Sequence, residues 1–252
     1  MRALLILLGL LLAQPSAALE LLPTTLQLPA EGGRAELWLR NPGPGRWQGQ
    51  VQVLAWEQQL DAERLQPSDR IRVSPARLDL APGSTQRVWL LPGGPPASVG
   101  EQAYRIVLAP ALPGLPRYSL PLFRSPAAPA LHARLQARVE ALGPQPMLRL
   151  SNSSTLHGRL HDLRFIAADG QSSLLVAGLA GYILAGHERR WPLPARPDGY
   201  VGGHFRARLQ DGREVDLAAS DPAIAADAPA GYNPPDSCRL RAREPVHTGR
   251  HR

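Results

Sequence analysis

Short strands between turn signals, with almost nothing at helical period, constrain this chain more than any other feature. From Leu19 onward, apolar and polar residues alternate over short segments bounded by Gly, Pro, Asn or Asp. In Arg34–Arg40, Ala35, Leu37 and Leu39 share one face; Gln50–Trp56, Arg70–Pro75, Arg77–Leu80 and Thr85–Leu91 follow. Asn41-Pro42-Gly43-Pro44-Gly45 and Ala81-Pro82-Gly83-Ser84 punctuate them. Alternation places successive side chains on opposite faces of a strand, and strands at this spacing predict an all-β chain built from sandwiches. The segments up to Ser125 predict a first Ig-like domain over residues 19–125.

Pro126-Ala127-Ala128-Pro129-Ala130 reads as a short, stiff linker. Beyond it the same texture returns in Ala133–Val139, Met147–Ser151, Arg159–Ile166, Ser173–Val176, Arg189–Leu193, Phe205–Leu209 and Glu214–Leu217. This predicts a second, smaller Ig-like β-sandwich over 126–219, with Asp169-Gly170 and Asp211-Gly212 at hairpin turns. Residues 220–252 mix Ala, Pro, Gly and Asp before a run of arginines, lack the apolar residues to pack, and read as a disordered basic tail.

Charge enters the argument only to be discounted. All 28 basic residues are arginine and the net charge is +7, but the arginines are scattered through the expected strands, so no nucleic-acid surface is implied. Residues 1–18 carry Arg2, an apolar run from Ala3 to Ala13, and small residues at Ser16 and Ala18. That pattern predicts a secretory signal peptide cleaved after Ala18, its apolar run too short to span a bilayer, with an uncleaved anchor as the rival reading. The mature chain is expected to be exported and soluble. Cys238 is the only cysteine, which rules out an internal disulfide and leaves stability to packing.

Catalytic signals are missing. His157 and His161 read as facing one way on a strand, with His132 or His187 as further ligands, but no acidic or thiol partner shares their spacing. No nucleophile elbow or phosphate-cradling glycine loop occurs. The expectation is no enzyme, no metal and no cofactor.

One hairpin stands apart. Ala103–Leu108 and Tyr118–Phe123 are two strands joined by a Pro- and Gly-bearing connection, and Pro121 interrupts the second. Proline inside a strand is tolerated mainly at an edge or a bulge. An apolar edge strand is normally suppressed as an aggregation hazard, which makes this one a candidate working part.

Several stretches occur in an order that resembles a family. Gln50 to Leu90, with VQVLAWEQ, Ser74-Pro75 and APGSTQRVWL, resembles the N-terminal domain of the periplasmic pilus-assembly chaperones of the chaperone-usher pathway. EQAYR at 101–105 followed by YSLPLF at 118–123 resembles its closing hairpin, and GYILAGHERRWPL at 181–193 a signature of its second domain. The last two are most similar to the archaic branch, which serves spore-coat-U-like subunits. The resemblance implies two Ig-like domains in a boomerang. It further implies that a non-enzymatic chaperone donates its last N-domain strand to pilin-like subunits and delivers them to an outer-membrane usher. Leu112, Leu115, Tyr118, Leu120 and Leu122 would then supply the donated side chains, an instance of strand addition, or else serve as core of their own sandwich. Main-branch chaperones anchor the subunit carboxylate with an arginine and a lysine, but Thr25 and Pro121 align with those places. Arg105, then Arg87, Arg124 and Arg117, are the candidate anchors, against solvated surface arginines and anchoring by the strand alone as the alternatives. A secreted Ig-like adhesion or envelope-binding module is the second reading, and a sandwich-fold periplasmic enzyme the third.

Overall fold

The computed structural model describes residues 18–129, 134–142 and 145–219; the expected tail, and the expected signal peptide apart from its last residue, lie outside them. All regular structure among the described residues is β. The first ten strands are β1 (Glu20–Leu22), β2 (Leu26–Leu28), β3 (Ala35–Arg40), β4 (Trp47–Gln59), β5 (Ala62–Pro67), β6 (Ile71–Ser74), β7 (Arg77–Leu80), β8 (Thr85–Pro92), β9 (Gln102–Pro110) and β10 (Tyr118–Arg124). One sheet runs β1-β3-β8-β6 and the other β2-β10-β9-β4-β5, with β7 beside β4. Their facing sides enclose one core, in which Leu37, Leu39, Val88 and Leu90 of the first sheet meet Ile106, Leu108 and Leu122 of the second. The alternation that put Ala35, Leu37 and Leu39 on one face is the alternation that buries them.

Two elements depart from the sequence reading. The chain enters through β1 against β3, then crosses to the opposite sheet as β2, which runs parallel to β10. Residues 62–67, left between the expected strands Gln50–Trp56 and Arg70–Pro75, form β5, paired with β4 from Gln59↔Ala62 to Leu54↔Pro67. Every residue of β5 is exposed. A strand that buries neither face carries no alternation to detect.

The remaining strands are β11 (Leu135–Leu142), β12 (Gln145–Asn152), β13 (Gly158–Ile166), β14 (Ser172–Ile183), β15 (Glu188–Pro192), β16 (His204–Arg208) and β17 (Glu214–Ala219). They form one hydrogen-bonded path, β14-β13-β16-β17-β11-β12-β15. A single core takes Leu148 and Leu150 from β12 and Leu163 and Phe165 from β13, so the path folds over on itself into two layers. The two Asp-Gly turns fall where alternation placed them: Gly170 N–H donates to Ala167 C=O at 2.9 Å and Gly212 N–H to Leu209 C=O at 3.0 Å. Both glycines adopt φ above +80°, a conformation open to glycine at little cost.

Candidate functional site

The closing strand β10 pairs with β9 over its whole length, from Tyr118↔Leu108 to Arg124↔Gln102. Its other side is covered only at Leu122, Phe123 and Arg124, which face Leu26, Gln27 and Leu28 of β2. Tyr118 to Pro121 therefore have no strand neighbour on that side among the described residues. Pro121 stands just before the pairing with β2 begins, and with no N–H it has no donor to leave unpaired at this edge.

Side chains at even positions of β10 face the core. Leu122 is fully buried there, while Tyr118 and Leu120 are half-buried at its rim, joined by Leu115 from the preceding loop. The Tyr118 hydroxyl accepts the Leu19 backbone N–H at 2.6 Å. Leu112 stands in the loop before β10 and is 59% exposed. Of the five expected donor side chains, Leu115, Tyr118 and Leu120 thus line a half-open rim, Leu112 is exposed in the loop, and Leu122 belongs to its own sandwich.

The four candidate arginines occupy four different settings. Arg124 is 2% exposed and donates to the carbonyls of Gly94, Pro95 and Ala30 at 2.7, 3.2 and 3.2 Å, tying loops at the end of the strand. Arg87 lies on the outer face of the opposite sheet, stacked over Trp89 at 4.0 Å and Trp38 at 5.0 Å. Arg117 is exposed in the loop before β10. Only Arg105 faces the second sandwich. For Arg124 the prediction concerns the fold: Arg124→Ala orphans three carbonyls, at about 1 kcal/mol or more each. The melting transition should fall by roughly 6–12 °C, a shift that a thermal melt followed by circular dichroism reads directly.

Arg105 sits in β9 between Leu54 of β4 and Pro121 of β10. Its guanidinium stacks on Trp56, 3.6 Å from the ring centroid, and lies 6.0 Å from the Tyr182 ring. The side chain is 17% exposed, and Glu63 Oε2 lies 3.6 Å from Nη2. Burial lowers its pKa from the ordinary arginine value, a shift opposed by the Glu63 carboxylate. Among the described residues its guanidinium makes no direct hydrogen bond. On the second sandwich, Tyr182 is flanked by Arg159, whose guanidinium carbon is 5.8 Å from the ring. The Tyr182 hydroxyl approaches Thr25 Oγ1 at 3.4 Å. The place where the sequence lost its first anchor, Thr25, thus adjoins the same tyrosine as Arg105.

The second sandwich meets the first beside Arg105. Trp56, Phe123, Tyr182 and Leu184 form a buried apolar cluster of their own. Gln58 bridges the buried backbone of the second domain, donating to Tyr182 C=O at 2.8 Å and accepting from Leu184 N–H at 2.9 Å. His157, which the sequence had placed on a strand, instead precedes β13 and is buried. Its ring stacks on Phe123 with centroids 3.6 Å apart, and Glu101 Oε2 accepts its backbone N–H at 3.0 Å and lies 2.6 Å from Nδ1. His161 is half-buried within β13, and His187 Nδ1 lies 2.7 Å from the Ala185 carbonyl; His132 lies outside the described residues. The β4–β5 hairpin reaches over with Asp61 on Arg190 and Glu63 on Arg189, the latter at 2.9 Å.

Family models and curated protein sequences give no match to this chain. Solved structures do. A chain in the crystal structure of the CsuC–CsuE chaperone–tip adhesion subunit pre-assembly complex, from archaic chaperone-usher Csu pili of Acinetobacter baumannii, superimposes with a TM-score of 0.68 at 19% identity. The match covers 81% of this chain and 100% of that one. The fold is that of the chaperone-usher pilus chaperones. The E. coli chaperone DraB shares it with a TM-score of 0.59 at 17% identity, covering 81% of this chain and 97% of its own. The Pseudomonas aeruginosa CupB2 chaperone does so at 0.53 and 14%, covering 79% and 100%. Trp56, Glu63, Arg159 and Tyr182 surround or adjoin the Arg105 site, and the sequence reading did not single them out. Glu63 was hidden by the featureless β5, and the others by strand patterns that show burial without showing against what.

Proposed function

We propose that this chain is a periplasmic chaperone that holds pilin-like subunits through the open edge of β10 and delivers them to an outer-membrane usher. The observation carrying this reading is the half-covered strand: Tyr118 to Pro121 offer backbone pairing along one side, with Leu112, Leu115, Tyr118 and Leu120 along the rim. An incoming strand pairs with that edge and gains affinity from main-chain hydrogen bonds, while alternate side chains supply selectivity. Leu122 backs the strand from within. Residues 19–125 and 126–219 act as the two functional domains, the first offering the strand and the second forming the far wall of the cleft. The likeness to the CsuC–CsuE complex and to the Salmonella enterica SafB chaperone in complex with SafA pilin supports this reading. No helix among the described residues is long and apolar enough to cross a membrane, which is compatible with an exported protein.

Arg105 anchors the subunit's terminal carboxylate. It is the only one of the four candidate arginines that faces the cleft, it is positioned by Trp56, and its donors are open. A half-desolvated guanidinium gains a charge-assisted pair when a carboxylate arrives. Co-expression with a spore-coat-U-like subunit, followed by periplasmic purification and mass spectrometry, should recover the pair. Arg105→Ala should weaken subunit binding by about thirtyfold, since truncating one partner of a desolvated pair costs about 2 kcal/mol or more. Full affinity in that variant would remove Arg105 as the anchor.

A further inference from the structure

The cleft already contains a carboxylate. Glu63 lies between two guanidiniums, one from each sandwich: Oε1 accepts from Arg189 Nη1 at 2.9 Å, and Oε2 stands 3.6 Å from Arg105 Nη2. The first is a hydrogen bond and the second only a charge contact. Arg189 thus draws Glu63 toward the second domain and keeps the Arg105 donors open. Nearby, Asp61 pairs with Arg190 and the Arg190 backbone N–H donates to Leu60 C=O at 2.9 Å, so the hairpin is held to β15 without help from Glu63.

We propose that Glu63 is a resident competitor for Arg105 and that Arg189 is the positioning residue that holds it aside, the two together setting how tightly a ligand carboxylate binds in the cleft. This rests on the reading of Arg105 as a carboxylate anchor. A ligand carboxylate arriving at Arg105 meets the negative field of Glu63. Without Glu63 it binds without that opposition. Without Arg189, Glu63 is released onto Arg105, closes its donors and excludes the ligand. The two substitutions therefore act in opposite directions, whereas a pair that merely clamps the domains together would shift binding the same way from either side.

The test uses the full chain and two fluorescein-labelled decapeptides of alternating Val and Thr, one ending in a free carboxylate and the other in an amide. The ratio of their dissociation constants isolates the carboxylate contribution from strand pairing. The wild-type protein should prefer the free acid. Glu63→Gln should raise that preference by about three- to fivefold and Arg189→Gln lower it by a similar factor, the scale of a partly exposed ion pair. Arg105→Ala should abolish the preference in every background. If Glu63→Gln leaves the preference unchanged or lowers it, the competitor assignment is overturned while the anchor stands. A wild-type ratio of one would overturn both, and subunit co-purification would then show separately whether strand pairing alone sustains a chaperone.

Discussion

Leu122→Asp should leave no folded first domain, whereas Leu112→Asp should leave the domain intact and lose the subunit. The two leucines lie ten residues apart in one hairpin, yet Leu122 is fully buried in the core of its own sandwich and Leu112 is mostly exposed in the loop before β10. Removing a buried leucine costs about 2–5 kcal/mol, and desolvating an unpaired carboxylate adds several more, against a total stability of about 5–15 kcal/mol. Leu112 packs on no core cluster, so the same change there should alter stability by less than about 0.5 kcal/mol. In a complex, however, it would force a charge into an apolar contact. Leu120, half-buried at the rim, should fall between, losing the subunit together with some stability. Thermal melts paired with periplasmic co-purification separate these outcomes. Full subunit recovery with Leu112→Asp would exclude the loop from the binding surface, and a wild-type melt with Leu122→Asp would contradict the packing of β10.

How legible this was in the sequence depended on whether a residue's role is local. Ala35, Leu37 and Leu39 announce their face because a strand with one buried side must alternate, and the Asp-Gly turns announce themselves because they need positive φ. Pro121 pointed correctly to an edge, since a missing N–H is a property of one residue. Alternation did not say how far that edge is open. Coverage by β2 begins only at Leu122, which is a fact about a strand almost a hundred residues away. Arg124 and Arg105 look alike in sequence, each an arginine in an apolar strand. One donates to three loop carbonyls and the other stacks on Trp56 facing the second domain. His157 was misplaced for a related reason: its neighbours Glu101 and Phe123 come from the other sandwich, and no period within residues 157–166 carries that information.

That misplaced histidine leads to the second large effect. Glu101→Ala should uncouple the two sandwiches without unfolding either. The side chains of Glu101 and His157 are 4% and 3% exposed, and one carboxylate oxygen serves both the backbone N–H and the ring of His157. Removing the acid strands two buried polar groups at once. Each buried polar group left unsatisfied costs about 1–3 kcal/mol. The ionic contacts across the boundary, Asp61 with Arg190 and Glu63 with Arg189, involve more exposed carboxylates and so contribute less. Gln58 and the Trp56–Phe123–Tyr182–Leu184 cluster would remain, enough to keep each domain folded but not to make them melt as one. Calorimetry should show a single transition for the wild-type protein and two for the variant, while Arg190→Ala should keep the single transition. The consequence reaches β10, because Phe123 stacks on the ring that Glu101 holds. With that ring released, Phe123 loses its backing two residues from the open edge, and subunit binding should weaken even though Glu101 lies at the opposite end of the hairpin from Leu112. A single transition at the wild-type temperature in Glu101→Ala would mean that the aromatic cluster alone couples the domains.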